Sequence, residues 1–505
     1  MRRSRERRGL RTQAQRIRRA LYGLVSLTLF IAFYLMYRID TATDTDSPKP
    51  KSSKSLPNLI QLIPGFSYIS SFTTRVRESL PSLPKSSSLS HGSRPSRRHS
   101  SLSSGSLSNP PKVHVPAGVL PSFSGDYMIR MFFISPEYFA NWKFEDVTLV
   151  TMCSANHLHH IISLAERWSG PISVGVFGPG LEASFATDAI ESIKNCFPAV
   201  REQVLFHLVY PISLPADLSK SSGKLRFENC DDLRKQIKSY GGDEDDRANY
   251  GGDIPFPHNV LRNAARRGAP TAYIFLIDVD VMPSLNLRED FNDFAIRHGL
   301  YDKNENAMTV FVVPVFEKKK GSTCPDNKRE LAESCDKNEV RSFHEETCKW
   351  CHEPEQPKKW LQIQGQSRLE ISFNSSWTKS WEPFYIASRQ VPYFDERFMV
   401  YGFDRIQQIC ELHVAGYEFA VLNTAFLVHD GWKFPDKEIK ELQNRRRSRN
   451  WVLFHFHYQQ VLLKMYQNPK SCAPIETFVP KGFKALAHIN SRNNRIKRKY
   501  ASMLT

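Results

Sequence analysis

A chain of 505 residues with 41% apolar content has room for two or three domains and the make-up of a globular protein, not of a disordered or fibrous one. Its formal charge of +17 points first to nucleic acid, but residues 1–19 alone carry nine Arg against Glu6, and residues 38–125 carry eleven Lys or Arg against Asp40, Asp44, Asp46 and Glu78. Subtracting those two surpluses leaves the remainder near +2, whereas a nucleic-acid binder keeps its basic patch on the folded domain or on a dedicated arm, so that partner is excluded.

The basic tail of residues 1–19 runs into residues 20–37, which contain no charged side chain. About 18 helical residues rise about 27 Å, enough to span a bilayer core. Arg16, Arg18 and Arg19 stand on one side, and Asp40, Asp44 and Asp46 follow on the other. The positive-inside bias therefore predicts a type II signal anchor with the rest of the chain lumenal. A cleaved signal peptide fits less well, because the run is long and no small-residue cleavage site follows. Residues 38–125 are rich in Ser, Pro and Lys or Arg. They bury too little apolar surface to offset ordering entropy and read as a flexible lumenal stem.

Residues 126–505 read as a lumenal globular domain. Strands are predicted over 147–152, 172–177, 204–209 and 273–279, and helices over 156–168, 182–195 and 258–267. Alternating strands and helices predict an α/β domain with a mainly parallel sheet, with ligands bound at the carboxyl ends of the strands. The strand at 273–277 is wholly apolar and delivers Asp278 and Asp280 at its carboxyl end. Residues two apart on an extended segment share a face, so the pair is expected to hold a divalent cation, Mn²⁺ or Mg²⁺. An Asp-x-Asp on its own is weak; the buried run before it is what argues for pairing or a metal. Further on, a helix is predicted over 404–414 with Asp404 at its start, and a strand over 420–428 that ends on His429. A lone His after a strand is more often structural than ligating.

Ordered blocks now resemble one family. These are Asn259-Val260-Leu261-Arg262-Asn263, Phe275-Leu276-Ile277-Asp278-Val279-Asp280, Trp381-Glu382-Pro383-Phe384, Phe394-Asp395-Glu396-Arg397-Phe398, Tyr401-Gly402-Phe403 and Phe426-Leu427-Val428-His429. Together they resemble glycosyltransferase family 49, and Thr347-Cys348-Lys349-Trp350-Cys351 resembles its glucuronyltransferase branch more than its LARGE branch. The resemblance implies a GT-A fold, a Golgi location, a UDP-sugar donor, Mn²⁺, and a metal site of Asp278, Asp280 and His429. It further implies an inverting transfer of glucuronate from UDP-glucuronate, β-1,4 to xylose, on a glycoprotein O-glycan, alongside other Golgi transferases. The alternatives are a β-1,3-N-acetylglucosaminyltransferase using UDP-N-acetylglucosamine, a silent scaffold for another transferase, and a membrane-tethered lectin.

Within that reading the general base is assigned first to Asp404, whose plainer role is a helix N-cap. Asp395, Glu396 and Glu382 follow. Asn259, Arg262 and Asn263 are expected at the donor, with Arg262 on its diphosphate or on a glucuronate carboxylate. Trp381, Glu382 and Asp395 are expected at the substrate, Trp381 either stacking on a sugar or packing in the core. The nine Cys all follow the anchor. Cys324, Cys335, Cys348 and Cys351 are expected to form disulfides, not a zinc site, with Cys153 left as a free thiol. Asn374-Ser375-Ser376 is an N-glycosylation acceptor.

Overall fold

The structure is a computed structural model. It divides the chain into Met1–Leu107 and Ser108–Thr505, and it describes residues 118–240, 254–302, 308–362, 368–378, 380–434, 447–466 and 472. The predicted cytoplasmic tail, the predicted anchor at 20–37 and most of the predicted stem lie outside the described residues. Among those that are described, no helix is long and apolar enough to cross a membrane.

The folded unit starts before residue 126, at β1 (Gly118–Pro121), which pairs with β2 (Tyr127–Ile134). The predicted strands at 147, 172 and 204 are β3 (Val147–Ser154), β4 (Ile172–Phe177) and β5 (Val204–Pro211). β6 (Tyr273–Leu276) is shorter than predicted and is followed by β7 (Val281–Pro283). β8 (Thr309–Val313), β9 (Val315–Lys318), β10 (Val340–Ser342), β11 (Ile371–Ser375), β12 (Phe384–Ser388), β13 (Glu418–Leu422) and β14 (Leu427–Asp430) complete the set.

Ten strands form one sheet in the order β1-β2-β5-β4-β3-β6-β12-β8-β13-β11, and four form a second in the order β10-β9-β14-β7. In the large sheet the central run β5-β4-β3-β6 is parallel, as is β8 with β13. The other pairings are antiparallel, so the sheet is mixed and not mainly parallel. The prediction erred because only the first half of the domain alternates strand with helix. β12 is inserted antiparallel between β6 and β8 after a long polar stretch, which periodicity does not reveal.

Every residue of β3 and β4 is buried, as expected of strands covered on both faces. The His258–Gly268 helix packs on this block. Gly175 of β4 makes that approach possible: a Cβ there would lie 2.5 Å from the Leu261 carbonyl oxygen. The helix is buried along most of its length, polar residues included, so each of its polar side chains needs a partner.

The strand predicted over 420–428 is two strands in two sheets. β13 lies beside β8, while β14 lies between β9 and β7, and the turn at Asn423 separates them. His429 therefore sits inside β14, in register with Val281 of β7 and Glu317 of β9. Disulfides join Cys196 to Cys230, Cys348 to Cys351 and Cys410 to Cys472. Cys153 is free and buried, as expected; Cys324 and Cys335 are also free, against expectation.

Candidate active site

The β6–β7 connection carries Asp278 and Asp280. β6 ends at Leu276, so both acids lie in a turn and not on an extended segment. Their carboxylates consequently take different partners instead of sharing one face.

Asp280 is met from the second sheet. His429 Nε2 lies 3.2 Å from its Oδ2, and Lys433 Nζ lies 3.2 Å from the same oxygen. The far ring nitrogen of His429, Nδ1, is 2.6 Å from the Gly431 carbonyl oxygen. That oxygen can only accept, so Nδ1 carries the proton. Nε2 is then the ring atom turned to the Asp280 carboxylate, and the two face one point where a proton or a cation can sit between them. A ring whose other N–H is fixed by a backbone carbonyl is also how metal-ligating imidazoles are oriented. Burial alone would raise the Asp280 carboxyl, but Lys433 and His429 outweigh it and hold the group well below the ordinary carboxylate range. Lys433 went unnoticed in the sequence. Two main-chain N–H groups put it here: Gly431 N–H donates to the Lys318 carbonyl at 3.0 Å, and Lys433 N–H donates to the Glu317 carboxylate Oε2 at 3.1 Å.

Asp278 is met instead from the 405–415 segment and the His258–Gly268 helix. Arg405 donates to its Oδ1 at 2.7 Å, and Arg262 lies 3.6 Å from the same atom. Arg405 also rests on the Phe384 ring, 4.2 Å from the centroid. Asp278 is thus drawn away from Asp280. Among the described residues no three His, Cys, Asp or Glu side chains converge with metal-ligand spacing. The expected triad is therefore present as a closed pair, Asp280 with His429, plus an Asp278 occupied by arginine. Such a pair still suits a hard cation, which binds through one or two carboxylates together with water and substrate phosphates.

Arg262 is 4% exposed, and it donates to Asp404 Oδ2 at 2.8 Å and to Asn259 Oδ1 at 2.9 Å. It is the hub of a buried network and not a free hand for the donor. Asn259 and Asn263 are likewise committed. Asn259 donates to the Asp395 carbonyl at 2.9 Å; Asn263 donates to the Phe394 carbonyl at 2.8 Å and to Glu396 at 3.0 Å, and accepts the Phe394 N–H at 3.0 Å. These three residues stitch the helix to the 394–398 segment. Asp395 grips its neighbour Arg397, and Glu396 is 3% exposed. Trp381 is 2% exposed against Phe419 and has the core role, with no ring face open to a sugar. Asn374 lies exposed on β11.

Asp404 does not cap a helix. The helix begins at Ile406 with Arg405 in the cap position, and Asp404 Oδ1 instead accepts the Gly402 N–H at 3.0 Å. The preceding turn is strained: Val400, Gly402 and Phe403 have φ of 62°, 95° and 64°. A β-branched residue in that region is an outlier. Asn450 holds it there by donating to the carbonyls of Met399 at 2.9 Å and Gly402 at 2.7 Å. The turn aims Asp404 at Arg262 and Arg405 at Asp278. Burial raises the Asp404 carboxyl, but Arg262 and His258 outweigh it, so the group sits below its ordinary value. Glu382 behaves oppositely. Burial, with Asp404 nearby, pushes its carboxyl up to about 7.

The family described as glycosyl-transferase for dystroglycan matches residues 146–467, a span that includes every residue of this site. The chain belongs to this family. Among its relatives, beta-1,4-glucuronyltransferase 1 of Danio rerio is 34% identical over 363 residues, covering 69% of this chain and 82% of that one. The human protein of the same name is 35% identical over 363 residues, covering 70% and 83%. More distantly, the xylosyl- and glucuronyltransferase LARGE2s of Gallus gallus is 25% identical over 313 residues, covering 60% of this chain and 34% of its own. The chain is thus a glycosyltransferase. In this enzyme the acid pair, His429, Lys433 and Arg405 come together around the β6–β7 turn, with Glu382 near Arg405.

Proposed function

We propose that the enzyme transfers a sugar from a UDP-sugar, with inversion and with a divalent cation, to a glycan on a glycoprotein. The donor that fits best is UDP-glucuronate, with transfer β-1,4 to xylose. The observation that carries the reading is the Asp280–His429 pair, in which a ring nitrogen oriented by the Gly431 carbonyl and a carboxylate oxygen face one point. Asp280 and His429 would hold Mn²⁺ or Mg²⁺ there, with Asp278 reaching it once Arg405 yields. Bound, the cation would neutralise the charge that develops on the departing diphosphate.

The chain's own groups do the rest. Lys433 faces the same point and is 37% exposed on its side chain, so it is placed to bind a phosphate oxygen. Arg405 is held against Phe384 and offers a cation beside Asp278. A guanidinium and an ammonium placed one on each acid of the pair suit a donor with a carboxylate as well as a diphosphate, which favours glucuronate over N-acetylglucosamine. The glucuronyltransferase activity for which the 34–35% identical relatives are named supports the same choice. A type II anchor at 20–37 in the Golgi membrane completes the proposal.

The test is turnover of a UDP-sugar panel with and without Mn²⁺. Turnover of UDP-glucuronate that chelator abolishes is expected. Turnover of UDP-N-acetylglucosamine without UDP-glucuronate would reassign the donor, and full turnover in chelator would remove the metal.

A further inference from the structure

Glu382 differs from the other acids of the site in having no hydrogen-bond donor on its carboxylate among the described residues. The side chain is half-buried, with Arg405, which binds Asp278, among its charged neighbours. Its main chain is fixed from both ends. The Glu382 N–H donates to the Cys351 carbonyl at 2.6 Å, and the Glu382 carbonyl accepts Nδ1–H of His352 at 2.9 Å. His352 is itself 8% exposed, 5.0 Å from the Phe343 ring and 6.1 Å from the Phe384 ring. The Cys348–Cys351 disulfide closes the turn that presents both groups. A main chain clamped this tightly under a carboxylate that no described donor bonds leaves the side chain free to meet something from outside.

We propose that Glu382 is the general base of the transfer, and that the Cys348–Cys351 turn with His352 positions it. This rests on the glycosyl-transfer reading above. In the step, Glu382 takes the proton of the acceptor hydroxyl. The oxygen so released bonds to the anomeric carbon, and the bond from that carbon to the phosphate oxygen breaks, its electron pair leaving with the nucleoside diphosphate. The proton then passes from Glu382 to solvent. Asp404 is unsuited to this work because Arg262 holds one of its oxygens and the Gly402 N–H the other. A carboxyl at about 7 is also better matched to proton transfer near neutral pH than one below the ordinary range. The groups facing Glu382 are Asp404, which raises it, and Arg405, Arg447 and Arg262, which lower it; Tyr401 stands beside it with its hydroxyl. His352 is pushed down to about 3 by burial and stays neutral, so it remains a constant donor across the working range.

The experiment uses the full-length enzyme, with UDP and MnCl₂ as the binding probe in calorimetry. A base must be deprotonated, so wild-type kcat/KM should fall as pH drops below about 7. Glu382→Gln should lower kcat by about 10²–10⁴-fold, remove that acidic limb and leave UDP affinity intact. His352→Ala should lower kcat and shift the limb with UDP affinity unchanged, and His352→Asn, which can still donate to the Glu382 carbonyl, should restore much of both. The Cys348→Ser/Cys351→Ser double variant should behave like His352→Ala. If it no longer binds UDP, the His352 pair decides the positioning role. Glu382→Gln with kcat within about threefold of wild type overturns the base assignment. Loss of transfer in Asp404→Asn with transfer kept in Glu382→Gln moves the base to Asp404. An unchanged kcat and limb in His352→Ala overturns the positioning role. A wild-type enzyme that turns over no UDP-sugar is the failure of the transfer reading itself, and differs from all of these.

Discussion

The two acids of Asp278-Val279-Asp280 are separated by one residue, yet they belong to different kinds of surroundings. Asp280 faces His429 and Lys433, groups at the end of a short strand and on the turn after it, which can exchange one partner for another. Asp278 faces Arg405 and Arg262, which belong to a buried lattice with Asp404 and Asn259. The side chains of Arg262 and Arg405 are 4% and 6% exposed, against 37% for Lys433. One side of the turn is therefore built to receive, and the other to hold its shape. The same residue type at near-identical positions acquires its role from what the second sheet and the helices bring to it.

The largest effect should come from the receiving side. Asp280→Asn removes the carboxylate that His429 and Lys433 share, and should lower Mn²⁺-dependent turnover by about 10³-fold or more, since a bound cation is worth several kcal/mol of charge stabilisation. Folding should survive, because Asp280 is 30% exposed on its side chain, Lys433 can turn to water and His429 keeps its bond to the Gly431 carbonyl. Steady-state kinetics with circular dichroism checks both halves. A variant that loses its fold together with its activity would break the contrast between the two sides.

On the holding side the order reverses. Arg262→Ala leaves Asp404 buried without its partner, which costs about 3–5 kcal/mol for a pair of this kind. Urea unfolding should show a lower midpoint with an unchanged slope. If Arg262 instead contacts the donor directly, the variant keeps its midpoint and raises KM alone.

How far these roles could be read from the chain differs between the two sides as well. β4 matched its predicted range, residues 172–177, because a strand buried on both faces is an unbroken apolar run bounded by Gly170-Pro171 and Gly178. The same rule failed at 420–428. Two strands of different sheets read as one there, since Ala425 and Phe426 in the connection are as buried as the strands themselves. The acid pair was legible from the apolar run before it. The partners that distinguish the two acids were not. Lys433 sits in a stretch with no helical or strand period, and its place at Asp280 depends on bonds that main-chain N–H groups make to β9, more than a hundred residues earlier. Arg262 was visible as a charged residue on a helix, but the burial of its whole helix face, which turns it from ligand contact to hub, depends on β4 and the 394–398 segment.

A smaller effect is expected at Lys433. Lys433→Met removes one cation from the receiving side without burying a charge, because Asp280 keeps His429. Donor KM should rise about tenfold with kcat little changed, the pattern of lost uniform binding. Initial rates over a UDP-glucuronate series measure this. A kcat loss with KM unchanged would instead mean that Lys433 acts only in the transition state.

The smallest effect lies in the acid dependence of folding on the holding side. Burial raises the Asp404 carboxyl, yet Arg262 and His258 bring it below its ordinary value, so the folded protein binds the proton less readily than the unfolded chain does. For a carboxyl depressed on folding, the stabilisation is fully present above the unfolded value, about 4, and is lost as pH falls through the lower folded value. Stability should therefore decline below about pH 4 with a slope to which Asp404 contributes one proton at most. In Asp404→Asn that contribution disappears, so the wild-type and variant unfolding free energies should converge as the medium is acidified. Parallel curves from neutral pH down to about pH 3 would mean that Asp404 carries no depressed carboxyl. The Arg262 lattice would then be holding its shape by packing rather than by charge, and the division between a receiving and a holding side would rest on burial alone.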